Sequence, residues 1–210
     1  MDLQIRQIVN APVDSNCFVF YKRNSSSCIV VDPGTTDCLK LIDFFDRKQL
    51  SPEFIILTHE HFDHIAGVNK LKNLYDTKIL CSEECSNNIV HRKKNLSLFY
   101  DQKGFETYPA DVLLCDINYK LIWEKEEMLF FQTKGHSEGS VSVMINDFLF
   151  TGDCVIRNEK TITKLPGGSK TKLKESIDFI KNSFPGDRTT VFPGHGSPFL
   201  LGDFDINECI

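Results

Sequence analysis

Phe54-Ile55-Ile56-Leu57-Thr58-His59-Glu60-His61-Phe62-Asp63-His64-Ile65-Ala66-Gly67-Val68 is the stretch from which the rest of the chain can be read. It holds three of the chain's six histidines, placed between an apolar, β-prone run and the helical spacing of Ile65, Val68 and Leu71. The cluster therefore occupies a strand-to-helix corner. In an extended approach residues two apart share a side, which puts the His59 and His61 imidazoles together. Entry into the helix turns Asp63 and His64 in another direction, so one short loop offers two divergent donor pairs, one to each of two neighbouring ions. Imidazole with carboxylate suits zinc, iron or manganese, and zinc is the first expectation on ligand type.

Two further histidines share these surroundings. His136 lies in Thr133-Lys134-Gly135-His136-Ser137 and His195 in Phe192-Pro193-Gly194-His195-Gly196; each follows an apolar run and is preceded by glycine, which allows a sharp turn or a close approach of backbone to ligand. Asp153, in Phe150-Thr151-Gly152-Asp153-Cys154, repeats the pattern with a carboxylate. His91, beside Arg92-Lys93-Lys94, reads as a solvated surface residue.

At 210 residues with 41% hydrophobic content, the chain is expected to form one domain over residues 1–210 with a continuous core and no need of disulfide staples. A formal charge of −5 argues against a surface built to attract phosphate backbones, so nucleic acid is not an expected partner. The start Met1-Asp2-Leu3-Gln4-Ile5-Arg6 lacks the basic and apolar parts of a signal peptide, and no apolar run approaches membrane-spanning length; a cytoplasmic protein is expected. In that compartment the eight cysteines read as reduced, mostly buried thiols. Cys81 and Cys85 could share a helical face but lack a second pair at zinc-finger spacing. Cys154 is expected to point into the core, opposite to Asp153.

Strands and helices interleave. Phe18–Tyr21 and Cys28–Val31 read as paired strands, the second ending at Asp32-Pro33-Gly34; later apolar runs are 54–57, 128–131, 148–150 and 191–192. Helical spacing appears at Leu39, Ile42, Phe45, at Ile65, Val68, Leu71, and at Leu173, Ile177, Ile180, Phe184 behind the N-cap candidate Ser169, each stripe expected to pack into the core. Residues 75–116 are the least legible and are expected to carry an insertion.

The order His59-x-His61-x-Asp63-His64, then His136, Asp153 and His195, resembles the hallmark of the metallo-β-lactamase superfamily. The resemblance implies an α/β fold, an αβ/βα four-layer sandwich of two mixed sheets with outer helices and a site at one edge. By position it implies that one divalent ion takes His59, His61 and His136, a second takes Asp63, His64 and His195, and Asp153 bridges them. Within the superfamily the chain looks most like the small glyoxalase II-like hydrolases that cleave thioesters such as hydroxyacylglutathione; the pointers are Asn16, Asn95-Leu96-Ser97 and Leu165-Pro166-Gly167-Gly168-Ser169. It departs from full-length glyoxalase II in stopping 15 residues after His195, which leaves no room for the C-terminal helices that hold glutathione there, and in lacking a Gly-Arg pair after Asp153.

Two ions in such a site lower the pKa of a shared water toward neutrality, and the expected mechanism is attack of the bridging hydroxide on a polarised carbonyl. Asp63 is expected to be catalytic as well as a ligand, orienting that water or accepting its proton. Asp32 is open to two roles, orienting an imidazole or shaping a turn. Lys170 and Lys172, on the last helix near its N-terminus, are weak candidates for holding an anionic group of a small-molecule substrate. The alternatives are a mononuclear iron persulfide dioxygenase and a lactone or phosphodiester hydrolase on the same fold; β-lactam hydrolysis fits less well without an export signal. The oligomeric state is left open.

Overall fold

The computed structural model describes residues 2–114 and 118–205. Cys115 and Cys209 lie outside them. Alternation along the strands builds the layers. In β2 (Asn16–Lys22) and β3 (Ser27–Val31), Phe18, Phe20, Ile29 and Val31 face one way and Cys17, Val19, Cys28 and Val30 the other, the two-residue period of a strand covered on both faces.

The first sheet runs β1 (Leu3–Val9), β2, β3, β4 (Ser51–Ile56), β5 (Lys78–Cys81), β6 (Val112–Leu113), antiparallel at β1–β2 and β2–β3 and parallel from β3 onward. The second runs β12 (Phe199–Leu200), β11 (Thr190–Pro193), β10 (Phe148–Gly152), β9 (Val141–Ile145), β8 (Glu126–Gln132), β7 (Asn118–Trp123), with β10 and β11 parallel and the other pairs antiparallel. Between the sheets Phe18, Phe20, Ile29, Val31, Ile56 and Leu80 meet Trp123, Met128, Phe130, Val143 and Phe150, with Phe20 and Phe150 stacked at 5.5 Å. Each such side chain contributes about 1.5–3 kcal/mol by leaving water.

The outer layers are helical. Leu41 and Phe45 of α1 (Leu39–Lys48) and Val68 and Leu71 of α3 (Val68–Leu74) cover the first sheet. Leu173, Ile177 and Ile180 of α6 (Lys170–Ser183) cover the second, and Ser169 caps α6 by accepting from the Lys172 N–H. The result is the layered arrangement that the resemblance implies, two mixed sheets between helices. Among the described residues, no helix is long and apolar enough to cross a membrane.

Three details differ from the sequence expectations. Leu39 is 65% exposed rather than in the core, because it lies about 160° around the helix from the buried Leu41. The stripe Ile65, Val68, Leu71 is split between a single turn, α2 (Phe62–Ile65), and α3. The break falls at Gly67, where a Cβ would lie 2.7 Å from the Thr35 carbonyl and 2.8 Å from that of Pro33; the N–H there donates to Pro33 instead of continuing a helix. Residues 75–116 are not simply an insertion, since they supply β5 and β6 to the first sheet along with α4 (Glu83–Ile89). Among the described residues of this segment, α5 (Ser97–Asp101) adds no side chain to the apolar core.

Candidate metal centre

The parallel strands β10 and β11, with β8 reversed twice through β9, have their C-terminal ends on one edge of the second sheet. The end of β4 meets that edge, where the Val141 N–H donates to the Thr58 carbonyl at 2.8 Å. His59 and His61 follow β4, His136 follows β8, Asp153 directly follows β10 and His195 follows β11, so residues up to 136 positions apart in sequence converge because their strands end at one place. Gly194 permits a close approach: a Cβ on it would fall 2.0 Å from Asp153 Oδ1 and 2.9 Å from His64 Cε1.

The donor atoms fall into two groups, each with its members within 4.8 Å of one another: His59, His61 and His136, and Asp63, His64 and His195. Asp153 stands between them. Its Oδ2 is 3.5 Å from both His136 Nε2 and His195 Nε2, and its Oδ1 is 3.5 Å from His64 Nε2. Asp63 Oδ2 lies 3.4 Å from His195 Nε2 and 3.5 Å from His64 Nε2.

Outside the cluster, partners fix which ring nitrogen points inward. His136 Nδ1 lies 2.9 Å from the Ile162 carbonyl and His195 Nδ1 3.1 Å from that of Asp14; a carbonyl only accepts, so both Nδ1 atoms carry a proton and both Nε2 atoms are the ones turned into the cluster. Asp32 does the same for two rings at once. It accepts from the Thr58 N–H at 2.8 Å, the Thr58 hydroxyl at 2.6 Å and His64 Nδ1 at 3.0 Å. The Thr58 hydroxyl, its proton committed to Asp32, accepts from His59 Nδ1 at 3.0 Å. Asp32 also lies near His59 and His64 within possible ligand distance, but it already accepts three hydrogen bonds from these donors and braces the cluster. It is a turn residue too, at φ 54°, so both of its open roles are filled.

Cation ligation fits this arrangement on one direct observation. His59 Nε2, His64 Nε2 and Asp153 Oδ1 are buried, face the middle of the cluster and have no hydrogen-bond partner. Buried polar atoms left unpaired cost about 1–3 kcal/mol each, and a divalent ion satisfies lone pairs of this geometry.

The two groups differ electrically. Burial, then neighbouring imidazoles, push His61 down to about 3 and His59 well below the usual imidazole value. For His64 and His195 burial acts in the same direction but the carboxylates outweigh it: Asp63, Asp153 and Asp32 raise His64 to about 9, and Asp153 and Asp63 raise His195 to about 11. Asp153, despite its burial, is held well below the carboxylate range by His64, His136 and His195.

Glu60 was not singled out by the sequence. Alternation between His59 and His61 sends it to the opposite side, where it is buried and accepts from Ser137 Oγ at 2.8 Å and Asn88 Nδ2 at 3.0 Å. It thereby ties the His59–His61 loop to the His136 loop and to α4. Alternation was the available signal, since the residue between two inward histidines must find its partners elsewhere. Asn16 ties the last ligand loop, donating through Nδ2 to Pro193 and Gly196 carbonyls at 2.9 and 2.7 Å. His91 is exposed, and Cys154, Cys81 and Cys85 are buried. Lys170 lines a hollow with Lys160 and Lys164, whereas Lys172 lines a different one with Lys134 and Glu175.

Residues 10–195 match the sequence profile of the Metallo-beta-lactamase superfamily. The Bacillus subtilis (strain 168) protein named "Probable metallo-hydrolase YqgX" is 29% identical over 94% of this chain and 97% of its own length. Among solved structures, the BLEG-1 B3 metallo-β-lactamase superposes with a TM-score of 0.88 at 32% identity, covering 95% of each chain. TTHA1623 in a di-iron-bound form superposes at 0.79 with 25% identity over 94% of this chain and 95% of its own.

Proposed function

The chain belongs to the metallo-β-lactamase superfamily, and on that premise we propose that it is a metal-dependent hydrolase that cleaves a small-molecule thioester, with His59, His61 and His136 holding one divalent ion, Asp63, His64 and His195 a second, and Asp153 both. The observation that carries the reading is the set of buried donor atoms without a hydrogen bond, His59 Nε2, His64 Nε2 and Asp153 Oδ1, gathered at one place. Zinc is the first choice for both ions on donor chemistry; iron is supported by the di-iron form of TTHA1623. When bound, the ions supply a water acidified to near-neutral pH and positive charge for a substrate carbonyl.

The protein's own groups do the rest. Asp32, through Thr58 and directly, holds His59 and His64 by Nδ1 so that their Nε2 atoms point into the cluster. Asp63 Oδ2, 3.4 Å from His195 Nε2 and on the more accessible side of the cluster, is placed to take the proton that the attacking water gives up. The strand-end loops position the donors before substrate arrives, so little reorganisation accompanies the reaction.

The glyoxalase II-like subtype is supported by where its pointers fall. Asn16 secures the His195 loop, while Leu96 and Leu165-Pro166 form walls of a hollow beside Phe62. Six described cysteines, all buried and none in a disulfide, favour the reducing cytoplasm as the working compartment. A second reading, β-lactam hydrolysis, is favoured by the similarity to BLEG-1.

A panel of thioesters, lactones, phosphodiesters and a chromogenic β-lactam, offered to zinc-loaded and iron-loaded protein with metal content measured in parallel, tests the proposal. Thioester turnover that disappears on chelation and returns with metal is expected. Turnover of another class with none on thioesters overturns the substrate, and one iron per chain with oxygen uptake on a persulfide overturns the hydrolytic chemistry.

A further inference from the structure

Outside the layers, the run around α5 carries two of the most exposed aromatics in the protein, Phe99 at 66% and Tyr100 at 51%. They are not loosely held. Asn95, fully buried, donates through Nδ2 to the Ile89 and Phe105 carbonyls at 3.1 and 2.8 Å. Ser97 Oγ accepts from the Phe105 N–H at 2.8 Å. Residues in the left-handed region bound the helix on both sides, Leu96 at φ 68° and Gln102 at φ 64°. Such conformations cost about 1 kcal/mol or more each in a non-glycine residue and persist only where surrounding bonds enforce them. The run thus holds two apolar rings in water on a fixed turn.

Those rings form one wall of a hollow of about 450 Å³ lined by Phe62, Leu96, Phe99, Tyr100, Leu165 and Pro166. Its lining has no charged side chain, and the Tyr100 ring stacks on Phe62 at 4.6 Å and 25°. Phe62 sits between His61 and Asp63, and Leu165 follows three residues after Ile162, whose carbonyl holds His136 Nδ1. Both walls are therefore anchored to the loops of the candidate metal centre, and the volume lies in the range of small-ligand sites.

We propose that this hollow receives an apolar acyl chain of the substrate, so that Phe99 and Tyr100 are specificity-determining residues and the enzyme prefers medium-length straight chains over acetyl. The inference rests on the metal-dependent hydrolase reading for its substrate carbonyl, and on the hollow alone for its preference.

The test has a binding arm that needs no turnover. Titrating metal-loaded protein with straight-chain carboxylates from butanoate to decanoate by calorimetry is expected to lower Kd about two- to fourfold per added methylene, the amount its transfer from water contributes, until the hollow is full. Phe99→Ala with Tyr100→Ala is expected to reduce that dependence to less than twofold, the unchanged far-UV circular dichroism showing that these exposed positions are not needed for the fold. A Kd that ignores chain length, or a dependence that survives both substitutions, overturns the inference. So does a dimer in sedimentation that the double variant converts to monomer with no change in carboxylate binding, which makes the rings an interface between copies.

The kinetic arm measures kcat/KM on acyl thioesters of N-acetylcysteamine from acetyl to octanoyl. A rise with length that the double variant flattens is expected. Flat thioester kinetics with length-independent carboxylate binding overturns the acyl hollow while thioester hydrolysis stands. Length-dependent binding without any thioester turnover overturns the thioester reading while the hollow stands.

Discussion

The two halves of the metal centre are built on different principles. His59, His61 and His136 are imidazoles gathered without a carboxylate of their own, and burial strips the first two of protons at neutral pH. In the other half Asp63, with Asp153 beside it, raises His64 and His195, so that protons occupy the places where an ion's charge belongs. Burial alone thus prepares a neutral nitrogen site, while burial with carboxylates prepares a cation site that must first exchange protons. The halves are expected to differ in their pH response and in which distant residues they depend on.

The largest effects come from deleting donors. His61→Ala is expected to abolish hydrolysis and to leave the second half able to hold an ion, whereas Asp153→Ala, which touches both halves, is expected to remove metal from both; elemental analysis per chain separates the outcomes. Equal metal loss in the two variants would show that the halves fill only together. In both, far-UV circular dichroism should stay native, since the changed residues lie on strand-end loops.

Next comes pH. Because His64 and His195 are raised to about 9 and about 11, each carries a proton at neutral pH that an entering ion displaces, so the affinity of the second half falls as pH falls. The expected slope is about tenfold per pH unit for each proton displaced, less steep once the pH passes about 9. Affinity of the first half should change less over the same range. Calorimetric titrations in buffers of different ionisation enthalpy count the protons, and a pH-independent second site contradicts the electrostatic contrast.

The bracing carboxylate gives a smaller, diagnostic effect. Asp32→Asn is expected to weaken metal binding in both halves by about 10–100-fold, as loss of an imidazole's orienting partner does elsewhere. Thr58→Val should weaken only the half containing His59, because His64 keeps its own contact with Asp32. The smallest change is one of stability. Glu60→Ala leaves Ser137 and Asn88 without their acceptor and is expected to cost about 1–3 kcal/mol, read as a fall in thermal midpoint of roughly 2–4 °C per kcal/mol.

The cluster His59–His64 was legible because ligand chemistry is local: side chains two apart on an extended chain must share a side, and three histidines so close have no better use. Asp153 and His195 were legible by their position behind apolar runs and beside glycines. Asp32 was ambiguous because one carboxylate can shape a turn and accept from Thr58 and His64, and nothing in its neighbours in sequence announces Thr58 as the relay. Glu60 and the exposed Phe99 and Tyr100 escaped notice for a related reason: their partners, Ser137 and Asn88 in one case and Phe62, Leu165 and Pro166 in the other, come from distant segments. The helix break at Gly67 was hidden because it is set by the Pro33 and Thr35 carbonyls rather than by its own neighbours.

By itself the sequence determined the layered fold and picked out the side chains that meet in the candidate metal centre, because strand alternation, helical spacing and clustered loop residues are encoded within a few residues of one another. Only the tertiary structure decided how those donors divide into a neutral half and a proton-bearing half, which carboxylate braces them and what flanks them. Electrostatic shifts, tautomers and hollows depend on distances across the fold, and those are set where strand ends from both sheets meet.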